Sequence, residues 1–214
     1  RATIQTIPFN IGTVGNINIA EQDTFLDVFL REFNRFRGFN NFNLALAQYL
    51  EKPLQRHGKL QEFHQLVEEE GFDWQLDAND LATTELPMLL TIANQLVPTL
   101  DTNNIEKEIC RNNIFLSVES WTNELKQFLE DKGEDYRLIF LVDEVSQFIN
   151  NRRNMMLQLQ GLVEELHTKC GDKVWITCTA QQDLSFCRQT YYRRLSCKSM
   201  LLARTMARLW DDLK

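Results

Sequence analysis

The chain has 214 residues, 43% of them apolar and 25% charged, with 8 Gly and 4 Pro. That balance excludes collagen, low-complexity disorder and a disulfide scaffold, and a chain of this length buries roughly 70% of its unfolded surface in a single core. The formal charge is -7, so bulk charge does not coat nucleic acid. The charge is uneven, however: residues 186–214 hold seven Lys or Arg against two Asp, and the rest of the chain is acidic. No apolar run reaches the ~18 to 20 residues of a membrane-spanning helix, and no signal peptide opens the chain. Five cysteines, at 110, 170, 178, 187 and 197, show no paired CxxC spacing. The expectation is a cytoplasmic protein with reduced thiols.

Taken in chain order, Thr3 to Ile11 is rich in Ile, Thr and Phe and runs into Gly12 and Gly15, which predicts a strand and a turn. Asn18 and Glu21 fit a capping box for a helix whose Phe25, Phe29, Phe33 and Phe36 recur on one face until Gly38. From Asn41 to Ile114 no strand is visible. Leu60, Phe63 and Val67 mark one helix and Leu86, Leu89, Leu90 and Ala93 another, with a weaker element at Ile105 and Ile109. This block, about 41–114, reads as a helical insertion between two strands. Ser117 then opens a helix through Val118, Trp121, Leu125 and Leu129 that Gly133 closes.

The period changes at Leu138-Ile-Phe-Leu-Val142, a continuous apolar run that predicts a strand buried on both faces. Met155, Leu159, Leu162 and Leu166 define the next helix, and Val174 to Thr179 a second buried strand. About 30 residues with one helix separate the two strands, the length of a right-handed crossover between parallel strands.

The first strand ends in Asp143-Glu144, the Walker B pattern of P-loop ATPases. In an open parallel sheet ligands sit beyond the carboxyl ends of the strands, so an acid at that position faces the site. Asp143 is placed to hold Mg through its water shell, and Glu144 to orient and polarise an attacking water. At the end of the second strand Thr179 and Gln181 are candidates for sensing the terminal phosphate of ATP. No G-x-x-x-x-G-K-[ST] loop occurs, and Gly12-Thr-Val-Gly15 has neither its spacing nor its Lys. Because the chain begins with Arg and almost at once with a strand, the Walker A segment is expected upstream. The alternative is a degenerate domain that binds no nucleotide. The fold expected is therefore α/β: an AAA-like P-loop NTPase with a three-layer parallel sheet, core residues 1–184, and a basic tail at 185–214.

Tyr136-Arg-Leu-Ile-Phe-Leu-Val-Asp143-Glu-Val-Ser-Gln147-Phe-Ile, with Met156-Leu-Gln158-Leu-Gln160 and Cys170-Gly-Asp-Lys-Val-Trp175, resembles the P-loop ATPase family BrxC, or PglY, of BREX phage-defence systems. Phe25-Leu-Asp-Val-Phe-Leu-Arg-Glu-Phe-Asn34 and Lys59-Leu-Gln-Glu-Phe-His64 are similar to the stretch that follows Walker A in that family. Two departures stand out: Ser146 where the family usually has Gly, and Ala180 where it commonly has Ser. The resemblance covers residues 7–184. It implies an ATPase acting with a methyltransferase and a phosphatase-like component, using ATP and Mg for assembly or switching of the defence complex, with a homo-oligomer as a further expectation; DNA contact through the basic tail is expected from the uneven charge alone. The competing expectation is a non-catalytic scaffold whose helical block is the partner surface.

Overall fold

The computed structural model describes residues 2–14, 25–111, 114, 117–145 and 153–179. Its elements run β1 (Thr3–Asn10), α1 (Ile11–Val14), α2 (Phe25–Arg37), α3 (Leu44–Leu46), a π-helical turn (Ala47–Glu51), α4 (Lys52–Arg56), α5 (Leu60–Glu69), α6 (Trp74–Thr84), α7 (Leu86–Leu96), α8 (Thr102–Arg111), α9 (Val118–Lys132), β2 (Tyr136–Asp143), α10 (Arg153–Cys170), a 3-10 turn (Gly171–Lys173) and β3 (Val174–Cys178). Two compact units result: Arg1–Phe29 with Leu116–Lys214, and Leu30–Phe115. The second unit starts eleven residues before the predicted insertion because the C-terminal part of α2 belongs to it.

The first unit is α/β. Its three strands are parallel in the order β1-β2-β3, with Asn10 level with Asp143 and Val142 level with Cys178. Pro8, which has no N–H to give a ladder, is tolerated because β1 pairs with β2 alone among the described residues. One face of the sheet is sealed by aromatic packing. Phe29 of α2 meets Phe9 of β1 at 5.4 Å and Phe140 of β2 at 5.2 Å between ring centroids, and Trp121 of α9 lies 6.0 Å from Phe140. These edge-on and tilted contacts suit the ring quadrupoles.

The structure revises the expectation of strands buried on both faces. In β2 burial alternates: Tyr136, Leu138, Phe140 and Val142 are buried, while Arg137, Ile139 and Leu141 are half-buried. All five residues of β3 are half-buried. A continuous apolar run therefore marks a strand whose second face is only partly covered by the described residues. At the chain's other end, Ile11 and Gly12 begin a short helical turn where the composition predicts an open turn. The capping box at Asn18 and Glu21 lies outside the described residues.

Local chemistry explains where α9 starts and stops. Ser117 Oγ accepts the Ser120 N–H at 3.0 Å, and Gly133 takes φ 100°, a backbone conformation that favours glycine. The neighbouring α10 brings Leu162, Leu166 and Cys170 into the core, and Lys169 in its last turn reaches Glu119 at 3.8 Å. Burial pushes the Cys170 thiol up to about 11 and the Cys178 thiol to about 12, so neither is a thiolate near neutral pH.

The second unit is helical, with a core through Leu46, Leu50, Leu54, Phe63, Trp74, Leu81, Leu89, Ile105 and Ile109. Three of its helices match predicted periodicity, at 60–69, 86–96 and 102–111. The helical run from 44 to 56 and α6 carry no equally clean stripe, and the residues that decide them are polar. Asn43 Oδ1 accepts the Leu46 N–H at 2.9 Å, and Asp73 Oδ1 accepts the Gln75 N–H at 2.8 Å.

Within this core His64 stacks on Trp74, with ring centroids 5.3 Å apart, and its Nε2 is buried with no hydrogen-bond partner. Burial holds its pKa below the ordinary histidine value. As pH falls through about 6.5, the unfolded chain takes up a proton that the folded chain resists, so folding stability drops by at most about 1.4 kcal/mol per pH unit until the folded pKa is reached. Thermal melts at pH 7.5 and 5.5 should show a larger acid-side loss for wild type than for His64→Phe. Glu51, whose raised pKa works in the opposite direction, is common to both proteins and cancels from the comparison. Equal losses would mean that His64 titrates normally.

Candidate functional site at the strand ends

Parallel pairing brings three strands to one end, where β1 and β2 close on polar residues and a polar residue follows β3. Asn10 closes β1 level with Asp143 at the end of β2. Since Val142 is level with Cys178, Thr179 follows in the same row. Thr179 extends the ladder one step: its N–H donates to the Val142 carbonyl at 2.9 Å, and its own carbonyl accepts the Val145 N–H at 3.2 Å. Thr177 lies two residues back, level with Leu141.

The side chains form a connected set. The Thr179 hydroxyl donates to Asp143 Oδ1, which also accepts the Glu144 N–H at 2.9 Å. The Glu144 N–H is shared with Thr179 Oγ1 at 3.3 Å. One carboxylate oxygen of Asp143 is thus committed to the protein, and the other has no protein donor among the described residues. Asp143 and Glu144 thereby stand at the exposed carboxyl end of the sheet, where ligands of open α/β sheets bind.

Glu144 adopts φ 60°, the only positive φ at a non-glycine residue among the described residues. A side chain there costs on the order of 1–3 kcal/mol and persists where its surroundings impose it. Here the imposing contacts are the shared N–H bonds and a third residue that sequence reasoning did not single out. Asn10 Nδ2 donates to Glu144 Oε2 at 2.8 Å across 134 positions of sequence, and Asn10 Oδ1 accepts the Gly12 N–H at 2.9 Å. Gly12 itself is a place of close approach. A Cβ there would stand 3.2 Å from Asn10 Oδ1 and 3.7 Å from Glu144 Oε2.

Asp143, Glu144 and Thr179 are therefore brought together, with Asn10 added. Gln181 lies outside the described residues, as do Ser146, Gln147 and the basic tail 186–214. The described residues contain no cluster of three or more His, Cys, Asp or Glu able to cage a metal. That donor set still suits Mg, which keeps most of its waters and takes one or two carboxylates together with substrate phosphates. No helix among the described residues is long and apolar enough to cross a membrane.

Neither the protein-family models nor the solved structures contain a match to this chain.

Proposed function

We propose that the strand-end cluster is the metal-and-water half of a Mg-ATP hydrolysis site, in an ATPase of the BREX phage-defence kind. The observation that carries this reading is the alignment of Asn10, Asp143 and Thr179 in one row at the carboxyl ends of three parallel strands, with Glu144 held beside them. Mg, when bound, neutralises charge on the phosphates. Asp143 contributes the carboxylate oxygen that faces away from Thr179 to the water shell of that ion. Glu144 holds the attacking water and takes its proton, and Asn10 fixes the direction of the Glu144 carboxylate. Thr179, already bonded to Asp143, reports the state of the terminal phosphate to the metal ligand, and Gln181 assists it. ATP turnover on this reading drives assembly or switching with the BREX methyltransferase and phosphatase-like protein, in the cytoplasm and in a homo-oligomer, with the basic tail as the DNA contact.

The test is Mg-ATP binding by the protein that carries this chain, wild type beside Asp143→Ala. Loss of the carboxylate should weaken Mg-dependent affinity about tenfold or more and leave Mg-free binding unchanged. A folded wild type that binds no nucleotide would make the domain a scaffold with a degenerate site.

Asn10 gives a second, independent handle. Asn10→Asp sets a carboxylate at the 2.8 Å spacing that an amide now occupies. Two carboxylates that close share a proton rather than both ionising. Turnover near neutral pH should fall and recover as pH rises, read as an upward displacement of the acidic limb of the pH–rate profile. An unmoved profile would remove Asn10 from the site.

A further inference from the structure

The helical unit carries a groove of about 530 Å³ between the π-helical turn with α4 on one side and the start of α8 on the other. Tyr49, Arg56 and His57 line it from the π-helical turn and the end of α4, and Leu100, Asp101 and Asn104 from the start of α8. The groove is open to solvent, and Arg56, His57, Asp101 and Asn104 are all exposed in it. Tyr49 of the π turn stays half-buried at the groove while Leu50 and Glu51 are buried, and π turns recur at functional positions.

Arg56 is the informative residue. Elsewhere among the described side chains, arginines are committed. Arg31 donates to the Asn41 and Phe42 carbonyls, Arg35 pairs with Glu32, Arg37 lies over Phe33 and Phe39, Arg111 pairs with Glu108, and Arg137 donates to the Glu134 and Tyr136 carbonyls. The Arg56 guanidinium has no acceptor or ring partner among the described residues, and it lines this groove. Asp101 lines the groove too without pairing with it. One Asp101 oxygen caps α8 through the Asn104 N–H at 3.1 Å, and the other is uncommitted, as is the Asn104 amide.

These groups define a ligand. A guanidinium beside an imidazole offers the planar donors that phosphate monoesters take. A half-buried tyrosine ring offers a surface for a flat heterocycle, and a carboxylate with an amide at the start of α8 suits sugar hydroxyls and base edges. A bare oxyanion would leave the ring, amide and carboxylate idle, and an acidic peptide would meet Asp101 with like charge. We propose that this groove binds a mononucleotide, with its phosphate on Arg56 and His57 and its sugar and base toward Asp101 and Asn104. It is a second ligand site, apart from the strand-end cluster and independent of the reading given to that cluster.

Calorimetric titration of the full chain with AMP and GMP, beside inorganic phosphate and adenosine, decides the matter. Wild type and Asp143→Ala should bind at least one mononucleotide equally well, Arg56→Ala should weaken that binding about tenfold or more, and Asp101→Asn should weaken it by less. Both altered groove residues are exposed, so the variants keep the fold. Four results would overturn the proposal: no mononucleotide binding, equal binding by Arg56→Ala, loss in Asp143→Ala instead, or phosphate binding as tightly as the nucleotides.

Discussion

On the proposed reading of the strand-end cluster, Glu144→Gln is expected to retain Mg-ATP and to lose turnover, with kcat lower by about 10²–10⁴-fold, the usual contribution of a positioned general base. The amide keeps the length and one acceptor oxygen, so the Asn10 Nδ2 contact at 2.8 Å can still form. It also leaves the backbone at residue 144 held by Asp143 and Thr179, since those bonds use the main-chain N–H. What it removes is the ability to take a proton from water. Single-turnover measurement beside equilibrium binding separates the two outcomes. Unchanged hydrolysis would remove Glu144 from the mechanism, and lost binding would mean that the carboxylate acts on the metal or on folding.

Replacing Glu51 is expected to cause the largest loss of stability of any single polar substitution in the helical unit. Its carboxylate is fully buried, with Oε2 accepting the Asn40 backbone N–H at 2.6 Å and Oε1 accepting the Trp74 Nε1–H at 2.8 Å. Desolvation raises its pKa, and the two donors and Lys52 pull it part of the way back. Glu51→Leu abandons a buried indole donor and a part-buried backbone donor at once, a cost of about 3 kcal/mol at roughly 1–3 kcal/mol for each unsatisfied group. Glu51→Gln is also destabilising, because its single oxygen serves one donor and its NH₂ is turned against the other. Urea unfolding followed by tryptophan fluorescence checks both, since Trp74 reports the broken bond directly. A loss below about 1 kcal/mol in Glu51→Leu would show that water or a local shift replaces the carboxylate.

Those two residues also mark how far the sequence could be read. Glu144 was legible because a strand and its terminal acids lie within seven consecutive residues, where a continuous apolar run ending in two acids leaves a local signature. Glu51 was not. It sits next to Lys52 in a stretch that reads as polar helix, and its burial follows from a π-helical turn joined to a tryptophan 23 positions later. Asn10 was missed for a similar reason: one asparagine at the end of a short strand, two residues before a glycine, is ordinary turn chemistry, and its meaning comes from a carboxylate 134 positions away.

The sequence by itself determined the parts whose cause is local. Ser117 and Gly133 bound α9, the apolar runs at 138–142 and 174–178 form strands, and the single helix between them requires a parallel crossover, because a right-twisted strand returns beside itself only by that route. Only the tertiary structure decided the rest. Strand register put Asn10, Asp143 and Thr179 in one row, and it left one face of β2 half-covered where the apolar run had implied full burial. Register is a choice among pairings of segments 133 residues apart for β1 and β2 and 36 apart for β2 and β3. It is made by the whole buried aromatic face that Phe9, Phe29, Trp121 and Phe140 build together, and no window of sequence contains that face.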